Sequence, residues 1–200
     1  MWDKLVDYEQ THRPLECPKT YDVCYVAYLR RRKKHEVLFS ALSKLRHRGL
    51  SCVCVGEDRK GFRSELERRA TELDIRVEFT GEVDAQQVNQ YVNRSRIGVV
   101  CSRRDAVPRA ILECLAANVP VLVNSKLVAG TRYVGAASGL VRPADEFHRG
   151  IEELLDQRQN FDPRREYLAN FSADQVVRRF VRILTEAGLS IPQCAGVDGP

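Results

Sequence analysis

The segment Ile97-Gly98-Val99-Val100-Cys101-Ser102-Arg103-Arg104-Asp105-Ala106-Val107-Pro108-Arg109-Ala110-Ile111-Leu112-Glu113-Cys114-Leu115-Ala116-Ala117-Asn118-Val119-Pro120-Val121-Leu122-Val123 runs from one short apolar stretch to another through a longer one. Ile97 to Cys101 and Pro120 to Val123 read as buried strands, being short and rich in β-branched residues. Between them every residue from Ala110 to Ala117 except Glu113 is apolar, which predicts a helix buried on nearly all sides. Pro108 suits its first turn, where the missing N–H would have had no helical partner, and Asn118 is the next choice after glycine for a left-handed helix end.

The same alternation continues outward in both directions. Val23 to Leu29 predicts a buried strand. Val37, Leu38, Ala41, Leu42 and Leu45 predict an amphipathic helix stopped at Gly49, and Ser51 to Val55 predicts a second strand. Phe62, Leu66, Ala70 and Leu73 form the next helical stripe, and Ile75, Val77 and Phe79 alternate with polar residues as in a strand at a sheet edge. Asp84 and Gln87 make a capping box for a helix bearing Val88, Tyr91 and Val92. Beyond the opening segment, Leu140-Val141 predicts a short strand. Phe147, Ile151, Leu154 and Leu155 mark one helix, and Val176, Val177, Phe180, Val181 and Leu184 mark a last one capped by Ser172. Strand and helix thus alternate about six times with short links, the pattern of an α/β Rossmann-like, doubly wound parallel sheet with helices on both faces. In such sheets ligands bind beyond the carboxyl ends of the strands, where the loops after Leu29, Val55, Phe79 and Cys101 gather.

Glu113 is the anomaly in this pattern. Burying an ionised carboxylate without partners costs several kcal/mol or forces it to take up a proton, so an arginine, a backbone N–H, a water or a ligand must meet it. Asp105 stands eight positions earlier, and the two acids straddle the helix start. Free N–H groups and the positive end of the helix dipole suit a phosphate there, while the carboxylates accept hydrogen bonds from hydroxyls. A nucleotide sugar carries both kinds of group.

An acid, Val107-Pro108-Arg109, an apolar pair, Glu113 eight positions on, Cys114-Leu115-Ala116-Ala117 and the Pro120-to-Val123 strand resemble the signature of family-four retaining glycosyltransferases of the GT-B fold. The chain departs from the usual pattern with Asp105 in place of Glu, and with Ala106 and Asn118 each in place of Gly. The resemblance implies one GT-B half, in which the two acids bind the donor sugar and the ribose. The loop Ala27-Tyr28-Leu29-Arg30-Arg31-Arg32-Lys33 resembles the family's Gly-Arg-x-x-x-x-Lys segment, which holds the donor diphosphate. Lys33 falls on the Lys, and Tyr28 falls on the Arg with Arg30, Arg31, Arg103 and Arg109 as nearby replacements. Gly81 and Val83 resemble the turn beside the nucleotide base, and Val128-Ala129-Gly130-Thr131 the glycine-containing loop near the donor sugar. The resemblance therefore implies Asp105 and Lys33 as catalytic residues. It implies Glu113, Lys33, Asp105, Tyr28, Ala106, Val107, Arg109, Gly81, Val83 and Gly130 as substrate-binding residues, with no metal ligands and no cofactor besides the nucleotide diphosphate sugar.

The implied reaction is transfer of a hexose to an acceptor hydroxyl with retention, the acceptor being a glycan, a lipid or a small molecule. The family's acceptor-binding half has no counterpart in these residues, so a partner chain is expected to supply it, or the chain is a degenerate module that binds without turnover. The hydrophobic share of 44% suffices for one core, read here as residues 21–188, with 1–20 a lead-in and 189–200 a loose tail. Trp2, Leu5, Val6 and Tyr8 suit a short docking helix in that lead-in. Seven scattered cysteines read as reduced thiols, with Cys52 and Cys54 on one strand face. No apolar run is long enough for a bilayer and no leader opens the chain, so a cytoplasmic protein is expected, peripheral at the membrane at most. The net charge of +5 is concentrated at Arg30 to Lys34 and Lys44 to Arg48. Without interleaved aromatics these patches read as solvated, and nucleic acid is not the expected partner. His35 reads as a helix N-terminal residue, and His12, His47 and His148 lie in polar surroundings without an evident catalytic partner.

Overall fold

In the computed structural model, which describes residues 8–105 and 108–189, the chain enters by a single turn, α1 (Tyr8–Thr11). It then alternates through β1 (Tyr21–Val26), α2 (His35–Lys44), β2 (Ser51–Val55), α3 (Arg63–Glu72), β3 (Arg76–Phe79), α4 (Ala85–Asn93), β4 (Ser95–Val100) and α5 (Arg109–Ala116). The remainder is β5 (Val121–Asn124), α6 (Val128–Thr131), β6 (Gly139–Arg142), α7 (Phe147–Asp156), α8 (Pro163–Asn170) and α9 (Ala173–Glu186). The six strands form one sheet in the order β3-β2-β1-β4-β5-β6, every neighbouring pair parallel. The chain begins in the middle, builds outward to β3, then returns to β4 beside β1 and builds the other way. The doubly wound parallel sheet read from the sequence is therefore the fold.

Alternation along the strands splits the core in two. Val23, Tyr25, Cys52, Cys54, Ile97 and Val99 face α2 and α7, meeting Leu38, Phe39, Ile151 and Leu154. Cys24, Val53, Val55, Val121 and Val123 face the other way, toward Val92 of α4, Ile111 and Leu115 of α5 and Tyr167 of α8. Burial on both faces is why these strands read as continuous apolar runs. At the edge, β3 exposes Arg76 and Glu78 and buries Phe79, as the alternation predicts. The six described cysteines are free thiols, Cys52 and Cys54 on one face.

Three elements differ from the sequence reading. The first strand ends at Val26 instead of Leu29, because the chain turns away from the ladder while Leu29 stays fully buried and its N–H bonds the Glu57 carbonyl at 2.9 Å. Helix α8 has no counterpart in that reading; Pro163 opens it and Asp162 caps it, accepting from the Arg165 N–H. The stripe of α9 is not core: Val177 and Val181 are 53% and 40% exposed. The described part of the lead-in is tied down, with Lys19 donating to the carbonyls of Asn93 and Ser95 at 2.6 and 3.0 Å. Trp2, Leu5, Val6 and the expected tail from 190 onward lie outside the described residues. No described helix is long and apolar enough to cross a membrane.

Candidate functional site

Between β1 and β4 the winding of the sheet reverses, and the two loops leaving these strands part to open a crevice at their carboxyl ends. A cavity of about 360 Å³ occupies it, with walls from four loops and the start of α5. Tyr28 and Lys33 come from the loop after β1, Gly56 and Glu57 from the end of β2, Val83 from the turn after β3 and Asp105 from the loop after β4. Pro108, Arg109 and Glu113 complete it.

The floor depends on close backbone approach. Gly56 (φ 154°) bridges Gly81 (φ 75°), and a Cβ on Gly56 would come within 2.3 Å of the Ala27 carbonyl oxygen, so only glycine lets the end of β2 pass this close to the end of β1. Lys33 ends a single 3₁₀ turn, Arg31–Lys33, and its carbonyl accepts from the buried Tyr25 hydroxyl at 2.5 Å. Its ammonium forms an ion pair with Asp105, and the two side chains keep only 13% and 18% of their exposure. The catalytic pair implied by the sequence is thus brought into contact from positions far apart in the chain.

Glu113 reaches the cavity from the first turns of α5 with 6% exposure. Its nearest cation is Arg109, one turn earlier on the same helix and 55% exposed, with Nη2 3.5 Å from Oε1. Burial pushes the Glu113 carboxyl up to about 7 against the pull of that guanidinium. Among the described residues no buried arginine pairs with the acid, which opens into the cavity at the strand ends. Asn118 closes α5 with φ 60°, and its side chain accepts from the Arg164 N–H at 3.2 Å, a task glycine at this helix end could not perform.

The other sequence-derived residues divide. Tyr28, Val83 and Arg109 line the cavity, whereas Gly81 supports it from behind. Gly130 lies outside the cavity lining: a Cβ there would meet Leu127 at 2.6 Å and Ile111 at 3.1 Å, so its smallness serves packing between α6 and α5. Ala106 and Val107 lie outside the described residues. Tyr28 is 40% exposed and carries a guanidinium on its ring from Arg30 (5.0 Å) and from Arg59 (4.1 Å), while Arg59 also donates to its hydroxyl at 3.1 Å. At the position where the resembled motif has an arginine, an aromatic ring instead gathers two arginines at the rim.

Sequence reasoning missed His12, which lines the same cavity with 1% exposure. Its Nδ1 pairs with the Thr11 hydroxyl at 2.9 Å, while burial and the Arg109 charge lower its pKa to about 4. Its polar neighbours Thr11 and Arg13 hid it; Tyr8, one turn earlier and close enough to meet its ring at 5.8 Å, was the available signal. His35 is the first residue of α2, as expected, but fully buried against Tyr25 (centroids 4.8 Å apart) and lowered to about 4.

In sum the crevice offers a buried hydroxyl acceptor, a lysine–aspartate pair, a helix start and rim arginines, a set suited to a ligand bearing both hydroxyls and phosphates. A model of the family described as "Glycosyl transferases group 1" matches residues 20–157. No curated protein matches the chain significantly. Among solved structures, a sucrose-phosphate synthase from Thermosynechococcus elongatus superposes with a TM-score of 0.74 at 18% identity, covering 90% of this chain and 50% of that one. Anabaena HepE in complex with UDP-glucose gives 0.70 at 17% identity, covering 83% and 49%. A glycosyltransferase from Rickettsia africae gives 0.71 at 22%, covering 84% and 48%. The chain spans about half the length of these solved proteins.

Proposed function

The chain belongs to the glycosyl transferases group 1 family, and from that premise we propose that its crevice binds a nucleotide diphosphate sugar and serves transfer of the hexose, with retained configuration, to an acceptor hydroxyl. The observation that carries this reading is Glu113: a carboxylate buried in an otherwise apolar helix, paired at 3.5 Å with the exposed Arg109 and opening into the crevice where the strand order reverses. In this reading the carboxylate accepts from the ribose hydroxyls, Asp105 meets the sugar, and Val83 lies beside the base. Lys33 leaves Asp105 in part to meet the diphosphate. Negative charge developing on the departing diphosphate is stabilised by Lys33, the rim arginines and the α5 start, groups already fixed before the bond breaks. These cations, rather than a resident metal, carry the charge in the proposed step.

The acceptor-binding half is proposed to come from further sequence or a partner chain. Support comes from the half-length match and from the exposed apolar side chains Val177 and Val181, one turn apart on α9 and suited to packing against another domain. We place the protein in the cytoplasm. A second reading, a binding module without turnover, is favoured by two observations: Lys33 and Asp105 satisfy each other, and Tyr28 replaces the motif arginine.

Titration with UDP-glucose, GDP- and ADP-sugars by calorimetry or thermal shift tests the proposal. Glu113→Gln should weaken donor affinity about tenfold or more, the value of a hydrogen bond to a charged acceptor, while leaving the fold intact. Lys33→Ala should weaken diphosphate binding but not the weak binding of the nucleoside. Unchanged affinity in Glu113→Gln removes the ribose role. Donor binding without hydrolysis or transfer, even with an acceptor half supplied, selects the second reading.

A further inference from the structure

Outside the crevice lies another depression, of about 420 Å³, walled by Arg32, Lys34, Arg103, Arg104 and Lys126. Arg32 comes from the loop after β1, Arg103 and Arg104 from the loop after β4 and Lys126 from the loop after β5, so three separate connections converge on it. Lys34 has Glu36 at 3.0 Å. The other four cations have no carboxylate partner among the described residues, although elsewhere on this surface arginines pair regularly, as Arg48 with Asp156 and Arg142 with Glu153. These four side chains are exposed, and like charges brought to one hollow from three connections repel one another unless an anion joins them. An adjoining depression of about 450 Å³ shares Arg32, Arg103, Arg104 and Lys126 with the hollow and reaches Asp105, which also lines the crevice; along it Val128 stands 79% exposed next to Leu127 and Ala129.

We propose that this hollow is a binding site for a phosphate ester carried by the acceptor, which the cations hold so that its hydroxyl faces Asp105. The proposal rests on the donor reading for the word acceptor; the affinity for a phosphate ester stands independently of it. Several cations aimed from different loops suit a phosphate group of two or more negative oxygens, with the arginines able to grip it in bidentate fashion. In the donor reading the diphosphate is met by Lys33 and the α5 start, which line the crevice and not this hollow. The apolar lip at Val128 fits an acceptor whose phosphate joins an apolar portion, such as a lipid headgroup; a soluble sugar or polyol phosphate shares the same anchoring chemistry.

The test uses the whole chain with UDP bound, titrated with glycerol 3-phosphate, and in parallel sedimented with phosphatidylcholine vesicles with and without phosphatidylglycerol. Glycerol 3-phosphate should bind in the presence of UDP, and Arg104→Ala and Lys126→Ala should each weaken it about tenfold, the worth of one charge-assisted contact, with UDP affinity unchanged. Binding only to the anionic vesicles, lost in the same variants, supports the site and assigns the phosphate to a lipid. Competition between glycerol 3-phosphate and UDP, or loss of UDP affinity in Arg104→Ala equal to the loss of phosphate, overturns the proposal and returns the hollow to the donor. Absence of binding to both probes also overturns it. Failure of wild-type protein to bind any nucleotide sugar while glycerol 3-phosphate still binds sinks the donor reading and leaves the anion site standing.

Discussion

A single protonation equilibrium ties the Glu113 side chain to its proposed ligand. In the free protein burial holds this carboxyl at about 7, so below that pH it carries a proton and offers only part of its acceptor capacity. A pair of ribose hydroxyls donating to it favours the charged form. Binding should therefore expel up to one proton below pH 7, and affinity should rise with pH up to about that value and level off above it. Calorimetry of UDP-glucose binding in two buffers of different ionisation enthalpy measures this directly, because the sugar diphosphate has no proton of its own to lose in that range. Glu113→Gln should abolish the buffer dependence. A proton release that persists in the variant would assign it to another group, His12 being the nearest alternative in the cavity. The geometry of the pair Lys33 and Asp105 bears on the same scale: each now satisfies the other, so a ligand has to compete with that contact, and Asp105→Asn should free Lys33 and tighten UDP while abolishing transfer.

What aims Glu113 is the seating of α5 on β4. Gly98 sits beneath the helix, and a Cβ added there would lie 2.6 Å from the Cys114 sulfur and 3.4 Å from Val121. Gly98→Ala should cost about 1–3 kcal/mol by overpacking, and by pushing on Cys114 it should also weaken donor binding by shifting the preceding residue, Glu113, from its position. Combining it with Cys114→Ala returns space to the added methyl, so the double variant should be more stable than the two separate losses imply by about 1 kcal/mol in urea melts. Strict additivity would mean that the helix does not rest on Gly98. This contact was not legible in the sequence, where Gly98 is simply one small residue in a strand. The elements themselves were: buried strands give unbroken apolar runs, as in β2, β4 and β5, and amphipathic helices give a stripe, as Phe147, Ile151, Leu154 and Leu155 do in α7. Helix α8 escaped because it buries only Pro163 and Tyr167, leaving no period to count; the Asp162-Pro163 start was the readable trace. Within the candidate site, Glu113 was legible as a charge inside an apolar helix and Asp105 as an acid just ahead of its start, whereas Lys33 and Arg109 stood out through their likeness to a family motif. His12 was not legible, because its burial comes from α1 folding over α5, a tertiary event that local polarity conceals.

The stability of the whole molecule should carry the mark of three buried titratable groups acting in opposite directions. His12 and His35 are each lowered to about 4, by burial first and by the facing cations Arg109 and Lys33 second, so the unfolded chain binds their protons before the folded one does. Each therefore removes stability as pH falls from about 6.5 to about 4, at up to about 1.4 kcal/mol per pH unit. Glu113, raised to about 7, does the reverse: the folded chain holds its proton longer, and its contribution is lost as pH rises from about 4.5 to about 7. Between pH 4.5 and 6.5 two histidines oppose one carboxyl and stability rises with pH; from 6.5 to 7 only the carboxyl still titrates, and stability falls slightly. These groups therefore place a shallow optimum near pH 6.5. Unfolding free energies from urea melts across pH 4 to 8 should show this profile, and His35→Leu, which keeps an apolar contact on Tyr25, should flatten the acid limb by about 1 kcal/mol per pH unit. Glu113→Gln should remove the decline above the optimum and leave the acid limb steeper. An acid limb that keeps its slope in His35→Leu would show that the buried imidazole is protonated at no cost in the folded protein, and the account of His35 as a neutral core residue would fail.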